Sequence, residues 1–270
     1  MIKKKNSHFE FRRNVLHAEE ISILELAKSM KTPFYIYSAG ALEDSYNSLV
    51  DSLKELNHSL YYSVKSNSNV AVLRVLSLLG AGMDVVSAGE YLRARKAGVP
   101  GEKIVFSGVG KTFDEMILAL KQGIRQFNVE SIPEIHQLNL AASKLNKVAP
   151  VSIRVNPDVD AQTHKKIMTG KAENKFGIPI ILAEKVYEIA KNLENISIVG
   201  VDLHIGSQIT ELAPFKEAFQ KIAKLIDSLR NQDHNITRVD IGGGLGISYS
   251  RAHGDPISPE DFSSMLKSIF

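Results

Sequence analysis

The sequence predicts an α/β protein built as a (β/α)8 TIM-type barrel that is incomplete, and three observations carry that prediction. Short β-branched or apolar runs alternate with longer segments of helical spacing, as parallel βα units do. In the first half the repeat is roughly two dozen residues per unit, near the length at which such units tile a barrel. Residues capable of chemistry sit at the C-terminal ends of several different runs, which a barrel gathers into one mouth and an open sheet spreads apart. An open doubly wound sheet shows the same alternation, so periodicity alone does not separate the two.

The first predicted strand, Leu60–Lys65, ends in an amine and is followed by the helical stretch Val70–Leu79. Gly82–Ser87 leads into Glu90–Ala97, Ile104–Ser107 into Phe113–Lys121, and Gln126–Glu130 into Pro133–Lys144. Val151–Asn156 precedes Ile181–Leu193, Ile198–His204 precedes Pro214–Asn231, and Val239–Gly242 is the seventh run. Most of the helical stretches place apolar residues three and four apart, as a helix laying one face on a sheet requires. Ser258-Pro259-Glu260-Asp261 reads as an N-cap, a first-turn proline and an acidic first turn, opening a helix towards Phe270.

A closed barrel needs eight strands, and these runs supply one fewer. Phe34–Tyr37 beside Pro33 is a weaker candidate, because it precedes the first unit. The expectation is therefore a barrel over residues 33–270 without its eighth strand, preceded by an N-terminal segment, 1–32.

Composition narrows the function. The chain has 270 residues, 44% hydrophobic and 23% charged, which suits a packed globular core. Its 33 basic and 30 acidic residues are scattered, leaving no basic stripe for nucleic acid beyond Lys3, Lys4 and Lys5. The absence of cysteine excludes disulfides and thiolate metal sites. No apolar stretch approaches the length of a membrane span and no signal-peptide core opens the chain, so a cytoplasmic protein without membrane or nucleic-acid partners is expected. The sequons at Asn57, Asn195 and Asn235 are then chance matches.

Five groups of residues could carry chemistry. Lys65 follows Tyr61-Tyr62-Ser63-Val64. An amine desolvated at a strand mouth can condense with an aldehyde; a lysine reaching the rim for solvent is the plainer reading. Gly242, Gly243 and Gly244 remove every side chain from a turn, so that backbone N–H groups can close on a phosphate, or simply make a tight turn. His204, with Ser207 nearby, could stack on a flat ring, move a proton, or be a hydrogen-bonded rim residue. No metal is assigned, because the histidine lacks a second ligand at suitable spacing. Arg154, beside Asn156, and Asp84, near Glu90, are charges in apolar strands, and Arg154 is expected to have a carboxylate partner at the barrel mouth.

Taken together, and in order, these stretches resemble the alanine-racemase-like, fold-type III pyridoxal-phosphate enzymes, and specifically the diaminopimelate decarboxylase family. The resemblance runs from about Pro33 to Tyr249. The family's Tyr-x-x-Lys-x-Asn segment places its Schiff-base lysine on Lys65, and His-Ile-Gly-Ser-Gln places the ring-stacking histidine on His204 with Ser207 near the phosphate. Asp-Ile-Gly-Gly-Gly places the phosphate turn on Gly242, Gly243 and Gly244, and Asp84 and Arg154 join the cofactor site. Asp158 to His164 and Asn174 to Ile178 also favour the diaminopimelate branch over the ornithine and arginine branches.

The resemblance implies a pyridoxal 5'-phosphate enzyme that converts meso-2,6-diaminopimelate to L-lysine and carbon dioxide as a homodimer. Its Glu-Pro-Gly-Arg segment, which pairs the ring nitrogen from the eighth strand, and its C-terminal β domain, which gives the partner subunit a cysteine, are not in this sequence. Residues 1–32 would pack against that domain. Activity of the chain by itself is thus in question, and two other readings stay open: a pyridoxal-phosphate carrier without turnover, and a noncatalytic partner of a full-length homologue.

Overall fold

A computed structural model describes residues 8–160, 176–248 and 256–270. The chain opens with an antiparallel ribbon of β1 (Phe9–Arg12), β2 (Val15–Ala18) and β3 (Ile21–Ser22), followed by the short helix α1 (Ile23–Ser29). Helix α2 (Ala39–Leu53) is capped by Ser38, whose Oγ accepts from the Ala41 amide at 2.9 Å and donates to Glu19 at 2.6 Å. One hydroxyl thereby ties the ribbon to the first long helix.

The βα alternation follows as the sequence predicts. Strands β4 (Tyr61–Ser63), β5 (Gly82–Val85), β6 (Ile104–Phe106) and β7 (Gln126–Val129) are followed by helices α3 (Val70–Leu79), α4 (Ala88–Lys96), α5 (Phe113–Lys121) and α6 (Ile132–Lys144). Strand β8 (Ala149–Asn156) pairs with the two-residue β9 (Ile178–Pro179) ahead of α7 (Ile180–Lys191). The series ends with β10 (Ile196–Asp202), α8 (Leu212–Asn231), β11 (Arg238–Asp240) and α9 (Pro259–Lys267). Polar caps start these helices where the strand runs stop. Asn69, Ser87, Thr112 and Ser131 each accept from a first-turn amide, and Thr112 with Glu115 forms a full capping box.

The sheet order β11-β10-β8-β7-β6-β5-β4 decides between barrel and doubly wound sheet. Seven parallel strands follow chain order without reversal, whereas a doubly wound sheet turns back on itself at a switch point. The sheet also curls. Asn128 of β7 donates to Asp240 of β11 at 3.0 Å, although two strands lie between them and a flat sheet would separate them by roughly 14 Å at about 4.8 Å per strand. Outside, α2 and α9 meet: Ser263 of α9 donates to the Ser52 carbonyl at 2.6 Å, and Lys267 pairs with Glu55, just beyond α2, at 2.7 Å. The helical layer therefore closes round, while β4 and β11 remain sheet edges among the described residues.

Most of the core lies between sheet and helices: Phe106 and Phe127 are stacked at 6.0 Å, and Phe215, Phe219 and Phe262 pack α8 against α9. Two expectations are corrected, and one pairing is added. The first run ends as a strand at Ser63, because Val64–Ser66 winds into a 3-10 turn, so Lys65 projects from that turn and not from the strand. The β9 pairing was not foreseen, since two residues are too short for a periodic signal. Phe34–Tyr37 forms no strand, and Tyr35 and Tyr37 are exposed. Of the stretches quoted for the family resemblance, residues 161–164, 174–175 and 249 lie outside the described residues, as do Lys3, Lys4 and Lys5.

Candidate active site

The C-terminal ends of the strands form a polar mouth. Alternation along β5, β7, β8, β10 and β11 turns Asp84, Asn128, Arg154, Asp202 and Asp240 to the inside of the curl, while their neighbours Val85, Phe127, Ile153 and Val201 pack under the helices. Asp84 accepts from Ser107 at 2.6 Å and from Ser63 at 3.2 Å, and Asn128 donates to both Ser107 and Asp240. Four strands are thus joined by one hydrogen-bonded chain.

Burial governs the charges here. It pushes the Asp84 carboxyl up to about 6; the Ser107 hydroxyl opposes the rise, Asp240 adds to it, and Ser63 and Lys65 oppose it. Asp202 is held well above the usual carboxylate range, first by burial and then by the Asp240 charge, with Arg154 pulling the other way. Arg154 has the carboxylate partner that its position in an apolar strand demanded. It donates to Glu130 at 3.0 Å, lies 3.9 Å from Asp202 and stands over the Phe176 ring at 5.5 Å.

His204, two residues beyond Asp202, is lowered to about 4 by burial first, then by the Arg154 and Lys65 charges. Its Nδ1 accepts from the Gly243 amide at 3.4 Å, so that nitrogen carries no proton. The imidazole is neutral near pH 7, which suits a flat ring laid on another ring and not an imidazolium acid.

The glycine turn lies against this histidine. A Cβ on Gly242 would fall 2.5 Å from the Leu203 carbonyl oxygen, and one on Gly244 would fall 2.1 Å from that of Gly206; both have positive φ, +67° and +111°. Gly243 has nothing within 4 Å of its would-be Cβ. Two glycines are therefore required by backbone contact, and the third faces open space. The loop after β10 is zipped to this turn by Ile209 donating to Gly244 at 2.9 Å and Gly246 donating to Ile209 at 2.9 Å, which leaves Ser207 exposed beside it.

Lys65 is exposed, so the desolvating walls expected around it are not closed among the described residues. Its charge still reaches both Asp84 and His204. Lys65, His204 and the Gly242 to Gly244 turn consequently share one mouth, with Asp84 and Arg154 on its wall.

The sequence profile of the family described as pyridoxal-dependent decarboxylase, pyridoxal binding domain, matches residues 40–269. The chain belongs to the pyridoxal-dependent decarboxylases. It is 42% identical over 258 residues to the diaminopimelate decarboxylase of Haemophilus influenzae, covering 96% of this chain and 62% of that one. It is 48% identical over 241 residues to that of Pseudomonas aeruginosa, covering 89% and 58%. The crystal structure of Helicobacter pylori diaminopimelate decarboxylase complexed with L-lysine superposes with a TM-score of 0.88 at 39% identity, over 91% of this chain and 62% of that one. The chain thus spans about three-fifths of the length of these relatives.

The mouth fits a pyridoxal phosphate: a side-chain-free space over the glycine turn for the phosphate, a neutral flat imidazole, and an accessible amine; in this structure the Gly242 amide donates to Asp240 at 3.0 Å and the Gly243 amide to His204. Glu130, Asp202, Asp240, Asn128 and Ser107 were not singled out as site residues from the sequence. Alternation within β10 marks Asp202 as inward once the strand is known, but nothing local to Glu130 announces that it meets a residue 24 positions away. Among the described residues no helix is long and apolar enough to cross a membrane, and no group of three acidic, histidine or cysteine side chains could hold a metal ion.

Proposed function

We propose that this mouth holds pyridoxal 5'-phosphate and that the chain is the cofactor-binding part of a decarboxylase that releases carbon dioxide from meso-2,6-diaminopimelate to leave L-lysine. The observation that supports it best is the convergence of an accessible amine, a neutral imidazole and a side-chain-free turn in one barrel mouth. The similarity to diaminopimelate decarboxylases favours that substrate over ornithine or arginine.

In this reading Lys65 is the amine that attaches the cofactor, His204 lies against its ring, and the side-chain-free Gly242 to Gly244 turn, with the Ser207 hydroxyl beside it, receives its phosphate. When bound, pyridoxal phosphate supplies an electron sink for the pair released as the carboxylate leaves. Asp84, raised to about 6 and within reach of the Lys65 charge, takes or returns a proton at its carboxylate near neutral pH. Arg154, fixed by Glu130, keeps one positive charge on the wall opposite three aspartates. The same reading makes the whole protein a cytoplasmic homodimer, checked by sedimentation in the presence of the cofactor.

The test is carbon dioxide release from meso-diaminopimelate, ornithine and arginine, measured on the chain and on the protein at the length of its relatives. Turnover of diaminopimelate alone, lost in Lys65→Ala, supports the proposal. Turnover that survives Lys65→Ala sinks the lysine assignment. Preference for ornithine sinks the substrate, and cofactor uptake without turnover at either length favours a carrier.

A further inference from the structure

The end of the barrel away from the mouth holds an arrangement that cofactor chemistry does not use. Helix α2 and residues at and before the starts of β4 to β7 line an open cleft of about 220 Å³, among them Tyr46, His58, Tyr61, Lys103 and Arg125. Arg238, at the start of β11, stands behind that lining across the curl: its guanidinium donates to the Arg125 carbonyl at 3.3 Å, and both arginines act on the Tyr61 phenol. No carboxylate lies within ion-pair distance of Lys103, Arg125 or Arg238 among the described residues.

That arrangement is costly as it stands. Arg125 and Arg238 are partly buried like charges, and Arg238 is held below the ordinary guanidinium value by burial first and by Arg125 second. Like charges brought together in a partly dry site repel, and elsewhere in this molecule such charges are answered, as Lys111 is by Glu134 and Arg154 by Glu130. Arg125, Lys103, whose ammonium reaches the Gly80 carbonyl at 3.5 Å, and the Tyr61 phenol line a space several times the roughly 30 Å³ that a water molecule occupies in the liquid.

We infer that this cavity at the N-terminal end of the barrel is a binding site for a small dianion, a phosphate or a dicarboxylate, separate from the cofactor mouth. The Arg125 guanidinium and Lys103 supply the charge at the cavity wall, Arg238 adds to it from behind, and Tyr61 donates a hydrogen bond. Such a ligand bridges β4 and the turns that lead into β6 and β7.

Calorimetric titration of the chain with inorganic phosphate, and separately with succinate, at ionic strength held constant with sodium chloride, tests this. The mouth also offers its glycine turn to phosphate, so Gly243→Ala is titrated beside the unaltered chain. The expected result is binding that persists in Gly243→Ala and weakens by about ten-fold in both Arg125→Gln and Lys103→Gln, as loss of one charged hydrogen bond predicts. Preference for phosphate or for succinate then identifies which dianion the cavity takes. Lys103 is exposed, so Lys103→Gln decides the matter if Arg125→Gln fails to fold. The proposal is overturned if neither anion binds, if the cavity variants bind as the unaltered chain does, or if Gly243→Ala removes the binding. None of these results depends on decarboxylation or on Lys65.

Discussion

The buried pair Lys111–Glu134 gives the sharpest stability prediction. The Lys111 ammonium, fully buried, donates to the Gly108 carbonyl at 2.6 Å, to the Asn128 carbonyl at 2.7 Å and to Glu134 at 2.6 Å. The other Glu134 oxygen accepts from the Glu130 amide at 2.8 Å, and Glu130 in turn holds Arg154. Lys111→Met keeps the bulk but leaves a buried carboxylate with one donor and takes the ammonium away from the Gly108 and Asn128 carbonyls. Breaking such a pair from one side costs about 3–5 kcal/mol, a large part of the ~5–15 kcal/mol that holds a typical domain. The double variant Lys111→Met/Glu134→Gln keeps an acceptor for Glu130 and removes the stranded charge, so it regains about 1–3 kcal/mol over Lys111→Met. Urea unfolding followed by circular dichroism at pH 7.5 measures both variants, with an unchanged slope showing that only stability moved. A loss under about 1 kcal/mol for the single variant, or no recovery in the double, would refute the reasoning.

The glycine turn should split by position. Gly244→Ala costs more than the ~1–3 kcal/mol of a strained φ, because its methyl meets the Gly206 carbonyl, while Gly243→Ala stays within about 0.5 kcal/mol in thermal unfolding yet weakens pyridoxal phosphate uptake. Ser152, whose Oγ is buried without a partner, should be replaceable by alanine with no loss and a gain of up to about 1 kcal/mol in the same melt. For Asp84, whose folded value is raised from 3.8 to about 6, the stabilising proton is held below pH 4 and lost as pH rises through 6. The full shift corresponds to about 3 kcal/mol, reduced to about 1–2 kcal/mol by the residue's partial exposure. Asp84→Asn should therefore be the more stable form above pH 6 and lose that advantage towards pH 4; a constant difference across that window would contradict the shift.

The βα order was legible because each unit is local: a β-branched run, a capping residue and an apolar stripe all fall within a few residues of one another. The Ser258-Pro259-Glu260-Asp261 start of α9 is such a case, and its N-cap accepts from the Asp261 amide at 3.0 Å as its residues imply. Lys65 was legible as a residue but not in its setting, since the 3-10 turn that exposes it depends on how β4 ends against β5. That Arg154 needs a carboxylate partner was legible from its place in an apolar strand, but which carboxylates answer it, and the Arg125–Arg238 pair, were not. Glu130 and Asp202 meet Arg154 through the pairing of β8 with β7 and β10, 24 and more positions away, and Arg125 and Arg238, 113 positions apart, meet only through the curl of the sheet.

The account rests on Lys65 being the amine that captures the cofactor in a mouth shared with the glycine turn. Reduction with borohydride after incubation with pyridoxal phosphate, followed by peptide mass spectrometry, measures this directly. The added mass should fall on the peptide that carries Lys65, and Gly243→Ala should lower its yield. Label spread over surface lysines, or concentrated on any other single lysine, would contradict it.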